Sequence, residues 1–307
     1  PMHYEDLMEK YKCGGPHAHG IDLDWSPSDM SLAGVSMVHP DALGPIRWNP
    51  AVLALLPRYQ IGGGADVDQE LDWELGGAAM DSTEGPVAMG LLVTRRMATW
   101  NPPPEERPGW KLPDQELSGS MVQSLIGGSL AVSFGNRAMA LGVGGFYRND
   151  VTEYDISQHA VELNAGMGFR FWDQIIAGIS AEDILNRSNG RAIDTGLRWG
   201  PLEPTMGAGL PAKYQDLPFR SVGGIELDAR LSMGPEKAVD WIGCSGDVLL
   251  VDTLSLRGGW KRTGEGESLY GGGLGLDSEN GIVEYGIEFS LEEGFEHMHS
   301  IGIRLRL

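Results

Sequence analysis

Between Val161 and Phe171 the chain alternates strictly. Val161, Leu163, Ala165, Met167, Phe169 and Phe171 fall on one face, and Glu162, Asn164, Gly166, Gly168 and Arg170 on the other. A period of two marks an extended strand with one apolar side, because successive side chains point to opposite faces. Ile225, Leu227, Ala229, Leu231 and Met233 oppose Glu226, Asp228, Arg230 and Ser232 in the same way. Val283, Tyr285, Ile287, Phe289 and Leu291 oppose Glu284, Gly286, Glu288 and Ser290, and Ile301, Ile303, Leu305 and Leu307 alternate with Gly302, Arg304 and Arg306. Upstream, Val87, Met89, Leu91 and Val93 alternate with Ala88, Gly90 and Thr94. From Tyr59 onward, about a dozen or more such runs follow one another between Gly, Asn, Asp and Pro, with no helix-length segment among them, which predicts an all-β protein.

Residues 1–58 read differently. They hold a short amphipathic start from Tyr4 to Tyr11, a Gly/His-rich turn, and a stretch of small residues and prolines over 31–56. The chain therefore divides into a non-barrel N-terminal segment at 1–58 and a strand region at 59–307. Connections within the strand region come in two lengths. Gly135-Asn136, Trp172-Asp173 and Asn280-Gly281 are tight, whereas Thr99 to Ser118 and Gly200 to Phe219 are long and rich in proline and charge. Short turns at one end and long loops at the other are expected of a membrane barrel.

Composition narrows the choice. Glycine accounts for 45 of 307 residues and lies scattered through apolar segments, which argues against helices, since an interior glycine costs a helix about 1 kcal/mol. No apolar run approaches the ~18 residues a membrane-crossing helix needs. No basic segment followed by an apolar run opens the chain, so no secretory signal is expected within this sequence. A formal charge of −20 and a pI near 4.6 exclude nucleic acid as a partner, and an acidic pore would favour cations. Two cysteines, Cys13 and Cys244, allow at most one disulfide between them.

Alternation alone fits a soluble β-sandwich as well as a barrel. Three features favour the barrel. The number of successive strands exceeds the usual open sheet, and closure removes exposed edges. Large aromatics (Tyr147, Phe169, Phe171, Trp260, Tyr285) sit near strand ends on the apolar face, as membrane-interface anchors do. The polar face carries charges of both signs, namely Arg170, Glu226, Arg230, Arg257, Lys261, Glu284, Glu288 and Arg304, which suit a wet lumen. On the lipid side each Arg or Lys at the midplane would cost about 2 to 4 kcal/mol.

Several motifs occur in a recognisable order. Ser31-Leu32-Ala33-Gly34 through Trp48-Asn49-Pro50-Ala51 resembles the N-terminal signature of FadL-like outer-membrane proteins, especially their PorV-type branch. The run 177–185, Gly224-Ile225-Glu226, Leu256-Arg257-Gly258-Gly259-Trp260, Val283-Glu284-Tyr285-Gly286 and His299-Ser300-Ile301 resemble strands of the same branch. The chain departs from the pattern in ending on Leu307 instead of an aromatic, and in its Gly/His-rich start. The resemblance implies a transmembrane antiparallel β-barrel of about fourteen strands in the outer membrane of a Gram-negative bacterium. It also implies that the segment around Trp48, Asn49, Pro50 and Ala51 is tucked into the periplasmic side as a plug. Proline restricts Asn49 to extended geometry, Asn49 can bond nearby backbone in a turn, and Trp48 offers an apolar surface to the wall. A plain helix start before residues 51–56 is the competing reading.

Chemistry is sparse. Cys13, His17 and His19 could hold zinc or copper if a fourth ligand such as His3 approached, although a Gly/His turn is commonly just a turn. No nucleophile elbow, nucleotide loop or haem attachment motif is present, so neither an enzyme nor a cofactor is expected. Three functions remain. One is a channel or transporter for small compounds, hydrophobic ones among them. The second is a barrel that anchors or receives other envelope proteins in a secretion or motility complex, as PorV-type members do. The third is a secreted soluble sandwich. For the first two, outer-membrane lipid and lipopolysaccharide form the expected surround.

Overall fold

The structure is a computed structural model and describes residues 27–39, 43–68, 72–100, 119–152, 157–172, 174–182, 184, 192–200, 221–232, 239–250, 253–264, 266–278, 280–291 and 297–306. Alternating runs become fourteen strands: β1 (Tyr59–Asp68), β2 (Trp73–Asp81), β3 (Val87–Trp100), β4 (Gly119–Phe134), β5 (Met139–Thr152), β6 (Ser157–Phe171) and β7 (Ile175–Glu182). They continue as β8 (Ala192–Trp199), β9 (Ser221–Ser232), β10 (Val239–Leu250), β11 (Leu254–Thr263), β12 (Ser268–Ser278), β13 (Gly281–Ser290) and β14 (His297–Arg306). Each strand pairs antiparallel with its sequence neighbours, and β1 closes on β14 from Gln60 opposite Arg306 to Asp68 opposite Met298. Closure leaves no strand edge unpaired.

The two faces of the wall have the predicted chemistry. Leu91, Val161, Leu227, Ile287 and Ile301 point outward, while Glu162, Glu226, Glu284 and Arg304 point inward. Leu227 is 54 % exposed and its neighbour Glu226 0 %, so adjacent residues differ by their face and not by their depth along the barrel. An apolar exterior around a charged interior is the inverse of a soluble sandwich, and a hydrocarbon surround is what makes that exterior stable. Among the described residues no helix is long and apolar enough to cross a membrane.

One end of the barrel holds the start of β1, the end of β14, and the tight turns after β4, β6, β10 and β12; it is called the terminal end here. The turn after β4 runs through left-handed backbone at Gly135, Asn136 and Arg137, with φ of 58°, 57° and 64°. Phe134, Phe171, Trp172 and Trp199 are exposed around this end, forming an aromatic girdle. The opposite, loop end carries the long connection between β3 and β4. The expected separation of short turns from long loops is incomplete, however. The long connection from Gly200 to Phe219 joins β8 to β9, and strand parity places it at the terminal end beside the tight turns. Loop length is not constrained by barrel closure, which fixes only the end at which a connection lies.

The rim at the loop end is stepped. The last ladder pairing of β6 with β7 is Ala165 opposite Ala181, and beyond it the Ile184 N–H donates to the Leu163 carbonyl at 2.8 Å, so among the described residues 157–162 of β6 rise past β7 and pair only with β5. Among the described residues the wall is thus higher along β3 to β6 than at β7 and β8.

Candidate functional site: a plug in the lumen and the recess above it

The lumen is filled by the chain's own N-terminal segment. Residues 29–39 and 43–56 are almost wholly buried and contain α1 (Pro27–Ser31), α2 (Pro45–Trp48) and a 3-10 turn (Pro50–Ala54). The plug has two parts, each held by buried apolar side chains and by polar bonds to the wall. Ile46, Val52, Leu53 and Leu55 pack with Leu92, Leu125, Phe146 and Ile176 in one buried apolar cluster against the high side of the wall. Burying such side chains contributes about 1.5 to 3 kcal/mol each, so this half is fixed by hydrocarbon contact.

Residues 29–39 lie against β8 to β13, where Met37 and Val38 join the same apolar cluster and polar side chains of the wall bond the backbone. The backbone N–H of Met37 donates to Asp228 Oδ2 at 2.9 Å, and that of Val38 to Glu226 Oε1 at 2.7 Å. Ser245 Oγ donates to the Val35 carbonyl at 2.7 Å, and His39 Nε2 lies 3.3 Å from Asp247 Oδ1. Since the segment is not a strand, its backbone donors need partners in the wall, and inward-facing acids supply them.

Glycine on the lumen face makes room for both halves. A β-carbon on Gly142 would lie 2.5 Å from the Pro50 carbonyl carbon, and one on Gly271 would lie 2.5 Å from the Ala33 nitrogen. Such contacts exclude any larger residue. The high glycine content is thereby explained in part as clearance for a backbone running along the wall.

The Trp-Asn-Pro-Ala tetrapeptide sits at the joint. Asn49 takes an extended conformation (φ −142°, ψ 84°) before Pro50, and its N–H caps α2 by donating to the Pro45 carbonyl at 3.2 Å. Its side-chain amide is fully buried against Gly166 and Gly178 and makes no hydrogen bond among the described residues, so the expected bond to nearby backbone comes from the main-chain N–H instead. The two readings of this stretch merge, because Pro50 and Ala51 do open a helical turn, and that turn is part of the plug. Trp48 is flanked by cations: the Arg47 guanidinium stands 4.4 Å from its ring centroid and that of Arg230 5.7 Å.

Every lumen residue expected from the alternation is found on the inner face, in several separate clusters. Arg257 meets Glu284 at 2.5 Å and Arg304 meets the same carboxylate at 3.2 Å. Glu226 lies 4.0 Å from Arg198, which also binds Asp247 at 2.5 Å. Arg170 donates to the Leu55 carbonyl at 3.3 Å near the terminal end, and Glu288 stands apart on β13 toward the loop end. Arg47, on the plug, pairs with Glu162 at 3.0 Å. Cys13, His17 and His19 lie outside the described residues, as do residues 1–26 altogether. Cys244 sits opposite Leu227 and Trp260 on the outward face of β10.

Above the plug, on the low side of the wall, a narrow recess remains. Gly34, Met37 and Trp48 form its floor, and Glu182, Asp194, Arg230, Trp241 and Lys261 its walls. Arg230 pairs with Glu182 and lies 3.7 Å from Asp194 and 3.9 Å from Asp240, while Lys261 Nζ stands 5.7 Å from the Trp241 ring centroid. Trp241 faces the lumen with Gly243, Ser245 and Asp247, opposite Arg230, as the alternation along β10 requires. The β9–β10 register shift between Val239 and Trp241 instead turns Val239 to the outer face, where strict alternation with Trp241 would have placed it inside. Glu182 and Asp194 were not among the expected lumen residues, and neither were His39 and Asp247, which the fold brings together from 208 residues apart.

No protein-family model matches the sequence, nor does any curated protein. Solved structures do share its fold. The CymD monoaromatic hydrocarbon channel superposes with a TM-score of 0.60 at 9% identity, covering 92% of this chain and 97% of its own. The Ralstonia pickettii toluene transporter TbuX gives 0.60 at 10% identity with the same coverages, and a Pseudomonas aeruginosa FadL homologue gives 0.58 at 9% identity, covering 91% and 98%. At such identities the likeness is one of architecture, and it spans nearly the whole of each chain. The chain therefore has the closed fourteen-stranded fold of FadL-like outer-membrane barrels.

Proposed function

We propose that this protein is a channel or transporter in the outer membrane of a Gram-negative bacterium, passing small compounds from the loop end to the periplasm when residues 29–39 leave their seat. The observation that carries this reading is the seat of residues 35–38, whose backbone is held by polar side chains of the wall: the Met37 and Val38 N–H groups donate to Asp228 and Glu226, and Ser245 donates to the Val35 carbonyl. Water can replace such bonds, so this seat is able to yield. The architecture shared with hydrocarbon channels supports the same reading and brings small hydrophobic compounds among the conceivable cargoes. The test is solute flux into liposomes holding the purified barrel. Flux that rises when Glu226 is replaced by alanine supports the channel, and liposomes as tight as protein-free ones with both proteins overturn it.

A second reading has its own observation. The connection from Gly200 to Phe219 is long and lies at the terminal end, where transport barrels carry short turns. A protein that docks on periplasmic partners has use for such a loop. Recovery of a stoichiometric envelope protein with the native barrel, abolished by shortening this connection, supports the docking role; a barrel recovered alone counts against it.

A further inference from the structure

On four adjacent strands the outward face turns polar at one register row. Arg95 on β3 pairs with Ser124 on β4, Ser124 with Asn149 on β5, and Asn149 with His159 on β6. Between this row and the terminal end, the outward positions of these strands hold only apolar residues, glycine and Tyr147. On the other side of the row the face is apolar again at Met97 and Val122, so the row is a polar stripe within that face and not simply the point where the strands leave hydrocarbon. Its height fits a lipid headgroup. Ser124 lies ten positions along β4 from Phe134 of the girdle. At ~3.4 Å per residue and a strand tilt near 40° that is about 26 Å along the barrel axis, the height of the apolar band of an outer-membrane barrel.

The stripe also has one sign. Arg95 and His159 are exposed, and among the described residues no acid stands on the outward face of these four strands, in a chain whose formal charge is −20. Tyr147 Oη lies 2.6 Å from His159 Nδ1, and the two rings stack with centroids 5.8 Å apart. When the phenol donates to Nδ1, the ring proton sits on Nε2 and is a donor for a ligand.

We infer that this row binds the headgroup of a phosphorylated glycolipid in the leaflet at the loop end. The inference rests on the outer-membrane part of the reading above and is independent of transport. The Arg95 guanidinium matches a phosphate in a two-pronged pairing, and no neighbouring acid repels the anion. Three inter-strand steps of ~4.8 Å make the row about 14 Å wide, more than one phosphate fills, so Ser124, Asn149 and His159 meet the hydroxyls and oxygens of the sugar that carries it. The acyl chains then run down the apolar positions of β3 to β6.

Native mass spectrometry of the detergent-purified full-length barrel tests this with diphosphoryl lipid A, the same glycolipid without its phosphates, and dioleoylphosphatidic acid. The first is expected to bind at least about tenfold more tightly than either of the others. Arg95→Gln should lower the lipid A affinity by about three- to tenfold. His159→Phe, which keeps a ring against Tyr147, should lower it by a smaller factor. Arg262→Gln removes another exposed outward arginine, opposite Ile242 and Ser268, and should leave the affinity unchanged. Heat-modified gel mobility reports the folding of each variant. Equal losses in Arg95→Gln and Arg262→Gln would mean that binding follows net charge and overturn the site, as would parental affinity in a folded Arg95→Gln barrel. Phosphatidic acid or the dephosphorylated glycolipid binding as tightly as lipid A, or lipid A displaced by equimolar inorganic phosphate, overturns the phosphorylated glycolipid as occupant. The flux assay is separate: lipid A bound to a barrel that leaves liposomes tight removes the channel and keeps this site, and flux without lipid preference does the reverse.

Discussion

The backbone N–H of Val38 lies 2.7 Å from Oε1 of Glu226, a residue 188 positions later in the chain. With the neighbouring bond from Met37 to Asp228, it makes two successive backbone donors of the plug depend on two inward acids of one strand, β9. The barrel wall and its plug are joined at that point by polar bonds that either member can lose without disturbing the closed sheet.

Replacing Glu226 by alanine removes the acceptor and leaves a buried N–H, so the seat of residues 35–39 should weaken by about 1 to 3 kcal/mol. Limited proteolysis of the reconstituted barrel should then cut within 29–39 at a protease level that spares the parent. Asp228→Asn, whose amide oxygen still accepts the Met37 N–H, should have the smaller effect; equal resistance of all three proteins would show that the seat does not depend on these acids.

Gly142→Val should expel the 3-10 turn, because its first added carbon already meets the Pro50 and Ala51 backbone. Gly145→Val is the matched control on the same strand, with nothing within 4 Å of the added carbon. Planar-bilayer recording is expected to show larger and more frequent openings for the first variant and parental behaviour for the second.

Once opened in this way, the pore should prefer cations. Among the described residues buried acids outnumber buried Arg and Lys, so the interior potential is negative. Under a KCl gradient the reversal potential of the Gly142→Val channel should lie on the potassium side of zero, and a chloride-side value would contradict the charge assigned to the lumen.

An arginine on the outward face tests the membrane assignment. Leu227→Arg should cost about 2 to 4 kcal/mol if this position meets the bilayer interior, whereas Trp172→Arg in the girdle should cost about 0 to 1 kcal/mol. Urea titrations in phospholipid vesicles measure both. Equal losses at the two sites would mean that no hydrocarbon gradient runs along the wall.

Much of this architecture was legible in the chain. Leu163 and Met167 against Glu162 and Asn164, or Ile301 and Ile303 against Gly302 and Arg304, assign both the strand and its two faces, because a period of two has no other regular realisation. Tight turns at Gly135-Asn136 and Asn280-Gly281 were legible for the same local reason. The plug was visible as a stretch that lacked alternation and through the resemblance carried by Trp48-Asn49-Pro50-Ala51.

Sequence alone determined the all-β class and, in the five clearly alternating runs, which residues share the outward face and which the inward one, since these follow from interactions of neighbours a few positions apart. Tertiary structure decided the rest. It seated Val38 on Glu226 and His39 against Asp247. Each of these depends on barrel closure, which brings together residues nearly two hundred or more positions apart in the chain, and no local pattern encodes a distance of that kind.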